Sequence, residues 1–394
     1  MTRQRGEKGQ TLVAMVLSMT VVIGFLGLGI DFGYLRSVKG RMQSAADAAA
    51  LAGASELRYG DAVAAGKADS ATNGFADGVS GVTVTVNNPP QTSTDPHYND
   101  SNYVEAIVSQ SVSTHFARIF GVQSVVVQAR SEAHLGSSPD CMYTLNPTAQ
   151  NALLANGSTV HSQCGIVDDS SASQALLFNG STVSATSISV VGGDNLNGST
   201  VTPTPVTGAA SGADPLAYLP KPTVGSCQYT NKQVNGTSAV LSQGVYCSGL
   251  LLNGSTVTLN PGLYIISGGS FQVNGSSVTG NGVTFYITNN ASVVINGTNT
   301  VSLIAQTSGT YAGILFFQDP SDTQQATLNG TNPIYQGAMY FPDANLLYNG
   351  CAASTAYSIL VANTLQLNGT NYINDDYSSL PGGSPIKGGA VLAE

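Results

Sequence analysis

Residues 176–183 read LLFNGSTV, residues 250–257 read LLLNGSTV and residues 271–278 read FQVNGSSV. The signature continues as VVINGTNTV at 293–301 and LQLNGT at 365–370. In each, apolar residues lead into Asn-Gly, and Ser or Thr follows. Ten Asn-Gly marks carry the pattern, at Asn156, Asn179, Asn197, Asn235, Asn253, Asn274, Asn296, Asn329, Asn349 and Asn368. From each mark to the next the numbering advances by 23, 18, 38, 18, 21, 22, 33, 20 and 19, so seven of the nine steps lie between 18 and 23. A period near 20 with short β-branched runs is the mark of a solenoid in which each repeat is one turn of chain. Asn and Gly tolerate positive φ, so the pair supplies a tight corner. Alternating apolar residues on either side then point inward. A hairpin stack or sandwich would use the same turns but predicts irregular intervals. The expected fold is therefore mainly β, a right-handed parallel β-helix. The longest interval, from Asn197 to Asn235, holds TPTPVTGAASGADPLAYLPKP at 202–222, read as a Pro-rich excursion looping out between turns.

The cysteines follow the same period. Cys141 to Cys164 is a step of 23 and Cys227 to Cys247 a step of 20, each close to one repeat. Residues one turn apart stack at roughly 4.8 Å, within the Cα separation a disulfide spans. Two disulfides between turns are expected, Cys141 with Cys164 and Cys227 with Cys247. That leaves Cys351, in Asn349-Gly350-Cys351, where a corner Ser or Thr would stand.

Away from the repeats the composition changes. Residues 1–136 hold 10 of the 13 Lys and Arg and 11 of the 22 Asp and Glu, and no arginine follows Arg130. The chain of 394 residues is only 9% charged, with a net charge of −9. This argues against nucleic acid as a partner, because phosphate binding needs clustered Lys and Arg. Three parts are expected: an N-terminal anchor over 1–59, a small α+β module over 60–136, and the repeat region over 137–394.

In the anchor, Thr11 to Ile30 (TLVAMVLSMTVVIGFLGLGI) is uncharged throughout. A helix of that length spans roughly 30 Å, the thickness of a bilayer's hydrocarbon core. A cleaved signal peptide is the competing reading, but its apolar region is about 7–15 residues and no compact A-x-A site directly follows this one. Gly29 and Gly33 stand at small-xxx-small spacing, which lets another helix approach. Asp31 reads as an interfacial anchor at the end of the span. The Ala-rich run through YLRSVKGRMQSAADAAALAGASEL continues the helix.

In the module, Asp61 to Phe75 is helix-prone, and Val82–Val86, Tyr103–Val112 and Val125–Ala129 alternate as strands. Thr114 to Phe120 (THFARIF) reads as a short amphipathic helix with Thr114 as N-cap, ending before Gly121. His97, His115 and His134 fall in three separate elements without metal-ligand spacing, which favours structural or surface roles.

Gly9-Gln10, the apolar span, Gly29-Ile30-Asp31-Phe32-Gly33 and the stretch QSAADAAALA at 43–52 together resemble the N-terminal segment of TadG-like proteins. These belong to the tight-adherence (Flp) pilus assembly machinery of bacteria. The resemblance covers about residues 5–57, and less specifically the middle segment and phrases such as YAGILFFQDP at 311–320. Pilin subunits proper usually carry a Glu at the fifth place after the processing Gly; counting from Gly9, Ala14 stands there. The resemblance implies other pilus-assembly proteins as partners. A single pass in the inner membrane with most of the chain periplasmic or extracellular is expected because long domains translocate largely regardless of charge and cysteine pairs persist only in oxidising compartments.

Other chemistry is weakly signalled. Nine of the ten marks match N-x-[ST], yet recurrence at the repeat period favours a role in turns and ladders. Asp169 to Ser173 (DSSAS) fits a metal-adhesion motif by letter, without the long buried strand that should precede it. His161, Cys164 and Asp168 have the residue types of a thiol catalytic set, but Cys164 has a better use in a disulfide. Asp168-Asp169 and Asp375-Asp376 read as solvated loop carboxylates before calcium ligands. A polysaccharide-cleaving β-helix needs bases against uronates, and after Arg130 only Lys221, Lys232 and Lys387 remain. No catalytic centre, cofactor or metal site is expected. The expected protein is a non-enzymatic, membrane-anchored envelope component projecting a stiff solenoid. The alternative is a carbohydrate-binding or polysaccharide-cleaving β-helix using its Asn, Thr and Tyr surface on glycans.

Overall fold

An apolar stretch passes into an Ala-rich one with no proline between, and one helix results: α1, Lys8–Ser55. The computed structural model describes residues 8–57, 61–137, 140–297, 300–330, 333–350, 357–381 and 383–393. Along α1 the surroundings change. Residues 12–23 stand exposed, whereas Val38, Met42, Ala45, Ala46, Ala49, Ala50 and Ala54 are buried. Their spacing by threes and fours makes one stripe, and the stripe packs against α2 (Ala62–Thr72) and the strands β1 (Val82–Asn87) and β2 (Tyr103–Ser113). Small side chains allow this close approach, which is the physical content of QSAADAAALA. Asp61 caps α2 by accepting the N–H groups of Val63 and Ala64.

Strand β3 (Ser124–Ser137) completes an antiparallel meander with β1 and β2. A fourth strand, β4 (Lys387–Ala393), lies beside β3 in the order β1-β2-β3-β4. Two divisions expected from the sequence are therefore corrected. The anchor and the small module are one unit, Met1–Gly136 with Gly388–Glu394, because the second half of α1 supplies the module's core. The repeat region ends at Lys387, because the last strand leaves the stack for this sheet.

The second unit, Ser137–Lys387, is a β-solenoid of about ten turns. A complete turn has three short strands, as in Val283–Thr288, Ser292–Gly297 and Val301–Ile304. Each strand pairs in parallel with its counterpart one turn away; Gly262–Ser267, Ser270–Asn274 and Ser277–Asn281 meet those three in register. Inward positions are apolar. Aromatic rings run through the interior from turn to turn, with centroids 4.5 Å apart for Tyr229 and Tyr246, 5.4 Å for Tyr264 and Phe285, and 5.2 Å for Phe285 and Phe316. Such offset stacks add to the area they bury.

The corners form as their residues demand. Gly157, Gly180, Gly198, Gly236, Gly254 and Gly275 hold φ between +55° and +63°, where L side chains are strained. Of these, the corner N–H groups of Gly157, Gly180, Gly236, Gly254 and Gly275 bind the next turn, as Gly254 N to Asn274 O at 2.9 Å. The serine that follows points inward: Ser255 Oγ donates to Val234 O at 2.9 Å, and Ser255 N donates to Ser276 Oγ at 3.0 Å. The serines of these marks thus form hydrogen-bonded files, Ser158 to Ser181 to Ser199 and Ser255 to Ser276.

The file is not in chain order. Asn235 pairs with Asn253, then Asn274, Asn296, Asn329, Asn349 and Asn368 follow in succession. Beyond Asn368 comes the beginning of the region: Leu367 pairs with Ala155, Asn156 with Asn179, and Asn197 donates to Asn179. Counted along the stack, turn 1 is 229–241 and turn 7 is 358–373, while residues 140–162, 165–184 and 188–202 make turns 8 to 10. The solenoid is permuted. Its chain enters at turn 8 and leaves after turn 7, and both end turns are internal to the sequence.

The Pro-rich excursion makes this possible, and it is an ordered strap. After Val206–Thr207 adds a last short strand to turn 10, the chain runs back along the stack. Gly212 N donates to Asp169 Oδ1 at 2.9 Å, Tyr340 OH to Asp214 Oδ2 at 2.6 Å, and Tyr311 OH to the carbonyl of Pro220 at 2.8 Å. Lys221 Nζ sits 3.0 Å from Asp319 Oδ1, and Leu216 and Leu219 are buried in the main core. About 20 residues of extended chain reach roughly 65 Å, and nine turn-to-turn steps of about 4.8 Å need roughly 43 Å.

Candidate functional site

In the first unit α1 is the candidate element, by its length and by what it carries. It is long and apolar enough to cross a membrane. Where the apolar segment ends, Asp31 is buried. Its carboxylate accepts the backbone N–H groups of His115 at 2.8 Å, Phe116 at 2.8 Å and Ala117 at 2.6 Å. These are the donors left open at the start of a helical turn, here the 3₁₀ turn Ala117–Phe120, closed by Gly121 at φ +88°. Asp31 thus caps an element that lies beyond α2 and two strands in the sequence. The expected N-cap Thr114 is corrected: its hydroxyl donates to the carbonyl of Val122 at 2.5 Å and so closes the loop's base. Phe116 lies over Gly27, where a Cβ would come within 2.6 Å of its ring. Gly29 and Gly33 have open space beside them.

A second cluster joins β2 to β3. Register places Glu105 opposite Glu132. Glu105 is fully buried and accepts from Asn87 Nδ2 at 2.8 Å, Gln91 N at 3.1 Å, the Thr92 hydroxyl and Arg130 Nε at 2.6 Å. The Arg130 guanidinium also reaches Asp95 at 2.6 Å and Glu132 at 2.7 Å. Burial alone would raise the Glu105 pKa, but the donors outweigh it and hold the carboxyl at about 2. Asp95 is lowered in the same way, its burial outweighed by the His97 N–H and Arg130, and Arg130 is raised. His97 stacks on Tyr103 with centroids 3.8 Å apart, and its Nδ1 is 3.2 Å from Glu132. Asp95, His97 and Glu132 present ligand atoms within 4.8 Å of one another, the geometry a metal would use, and Arg130 is the cation that bridges the two carboxylates. Gln43 and Asp47 of the Ala-rich motif adjoin this cluster: Gln43 Nε2 donates to Asp47 at 2.8 Å and to the Arg130 carbonyl at 2.9 Å.

The solenoid candidates separate. Cys141 is joined to Cys164 and Cys227 to Cys247, with Cα atoms 5.7 Å and 5.6 Å apart. Cys164 is therefore no thiol, and His161 turns to Ser184 Oγ at 2.9 Å and stacks on Tyr372. In the DSSAS stretch, Ser170 and Ser171 donate to the carbonyls of Ala149 and Pro147, and Asp169 holds Gly212. Asp168 and Asp169 are buried, which raises both pKa values, and this corrects their reading as solvated. Asp375 and Asp376 are exposed, and Asp376 caps the short turn at Tyr377–Ser379. His115 packs edge-on against Tyr34, and His134 lies 5.0 Å from Tyr103. Cys351 lies outside the described residues.

Residues 9–56, which are nearly the whole of α1, match the family model described as putative Flp pilus-assembly TadE/G-like. No curated protein and no solved structure matches the chain significantly. The matched TadE/G-like segment holds Asp31, Gly27 and Gln43, through which α1 meets residues 115–117 and the Arg130 carbonyl, whereas the Arg130 cluster itself lies outside it. Sequence reading missed Arg130 with its three carboxylates. A glutamate inside the otherwise apolar strand VEAIV was the one local signal of it.

Proposed function

We propose that the chain is a non-enzymatic component of a Flp-type pilus assembly system, tethered by one pass of α1 through the bacterial inner membrane, with the solenoid outside the cytoplasm. The match of residues 9–56, on a helix whose first half is apolar and exposed, carries this reading. Both disulfides support the location, since they persist in oxidising compartments. The solenoid supports a positional role. Its corner serines and asparagines bond to the backbone and side chains of neighbouring turns, and Tyr246, Tyr264, Tyr286, Tyr335, Tyr348 and Tyr357 are buried where glycan stacking would need them outside. Gly29 and Gly33 then offer a face of α1 to a partner's helix. A strain lacking the chain is expected to lose its pili and regain them with the full chain, and the purified chain to cleave no polysaccharide. Normal piliation of the deletion strain, or glycan cleavage, contradicts the proposal.

A further inference from the structure

The β2–β3 connection ends in a cluster of apolar side chains facing outward. Ile119 is 78% exposed, Phe120 69% and Val122 45%. Soluble surfaces seldom group apolar side chains in this way without an occupant. Two contacts fix where the tip lies. Asp31 binds the backbone at 115–117, and Phe116 packs on Gly27, one helical turn further into the apolar segment. The step from Asp31 to Gly27 is a rise of about 6 Å along the helix. The tip is thus level with the last turn of the span, where Phe25, Leu26 and Ile30 are also exposed. Arg118, exposed within the same turn, is placed for lipid phosphates.

We propose that residues 114–123 form a second membrane contact, with Phe116, Ile119 and Phe120 inserted at the acyl boundary of the leaflet where the apolar segment ends. Elements lying in this interface are buried by about 5–10 Å, which matches the depth of Phe116 below Asp31. The inference rests on α1 spanning the membrane. It gives Asp31 a use beyond anchoring: the carboxylate ties an interfacial wedge to the helix and fixes how deep the unit sits. It also explains Gly27, since a side chain there would displace Phe116.

The chain has no tryptophan, so single-tryptophan variants report cleanly. Leu17→Trp, Ile119→Trp, Phe120→Trp and Val240→Trp are made in the full chain and reconstituted in phosphatidylcholine vesicles with brominated acyl chains. Leu17→Trp should be strongly quenched and Val240→Trp, on the solenoid, unquenched. Phe120→Trp and Ile119→Trp should shift to shorter wavelength and lose emission, more to bromine near the headgroup than to bromine near the chain ends. If Leu17→Trp is quenched while both tip variants emit like Val240→Trp, the wedge is wrong and the span stands. A blue-shifted tip without bromine quenching means protein covers it, which also overturns the proposal. An unquenched Leu17→Trp overturns the span and the wedge together.

Discussion

At the scale of single residues, Glu105 and Arg130 decide the stability of the first unit. A carboxyl whose folded pKa is depressed stabilises the fold above its unfolded pKa and stops doing so as the pH falls through the folded one. For Glu105 that window runs from 4.5 down to about 2. Hydrogen exchange along β2 should lose protection across it, and Glu105→Gln should flatten the loss; an unchanged profile in the variant contradicts the role. Arg130→Met leaves three carboxylates without their shared cation. Breaking a buried pair costs about 3–5 kcal/mol, and because the guanidinium is 31% exposed the lower end is expected, read from chemical denaturation. The corner residues were legible at this scale, since Asn-Gly demands a positive φ wherever it falls. The Arg130 cluster and the Asp31 cap were not, because their partners meet only through β pairing and a long-range backbone contact.

Elements were legible where periodicity is strong and local. One α1 results from apolar and Ala-rich runs that both favour helix, and the alternating runs at Val82 and Tyr103 became β1 and β2. Two elements hid from such reading. Strand β4 has only a short apolar run, and the whole solenoid separates it in sequence from its partner β3. The strap over 208–228 has loop composition, and its order comes from Leu216, Leu219 and the bonds at Asp214 and Lys221. Where the strap becomes turn 1, Cys227 is tied to Cys247 in turn 2. A disulfide closing a loop of this length contributes about 3 kcal/mol. Cys227→Ser with Cys247→Ser should therefore destabilise the solenoid by about that much, and exchange protection should fall first at 229–241. Uniform loss of protection through the stack would contradict a stapled end.

On the scale of the whole solenoid, the repeat period predicted turns and their number but not their sequence. Each turn looks alike to its neighbours, so nothing local distinguishes Asn197 stacking on Asn235 from Asn368 stacking beside Asn156. The long interval between Asn197 and Asn235 was the only hint. Permutation has a mechanical consequence. Both connections to the first unit leave from adjacent turns, 7 and 8, so neither end of the stack is a chain terminus of the unit. Tension between those connections would fall first on the pairings of turn 7 with turn 8, Leu360–Ala362 with Met142–Thr144, Leu365–Leu367 with Leu153–Ala155 and Thr370–Ile373 with Thr159–Ser162. The direct test is a distance. With Cys351 replaced by serine and the native disulfides intact, spin labels at Asn197→Cys and Asn235→Cys report the separation of turns 10 and 1. Nine steps of about 4.8 Å predict roughly 43 Å; a separation near one step, about 5 Å, would show turns stacked in chain order and contradict the permuted solenoid.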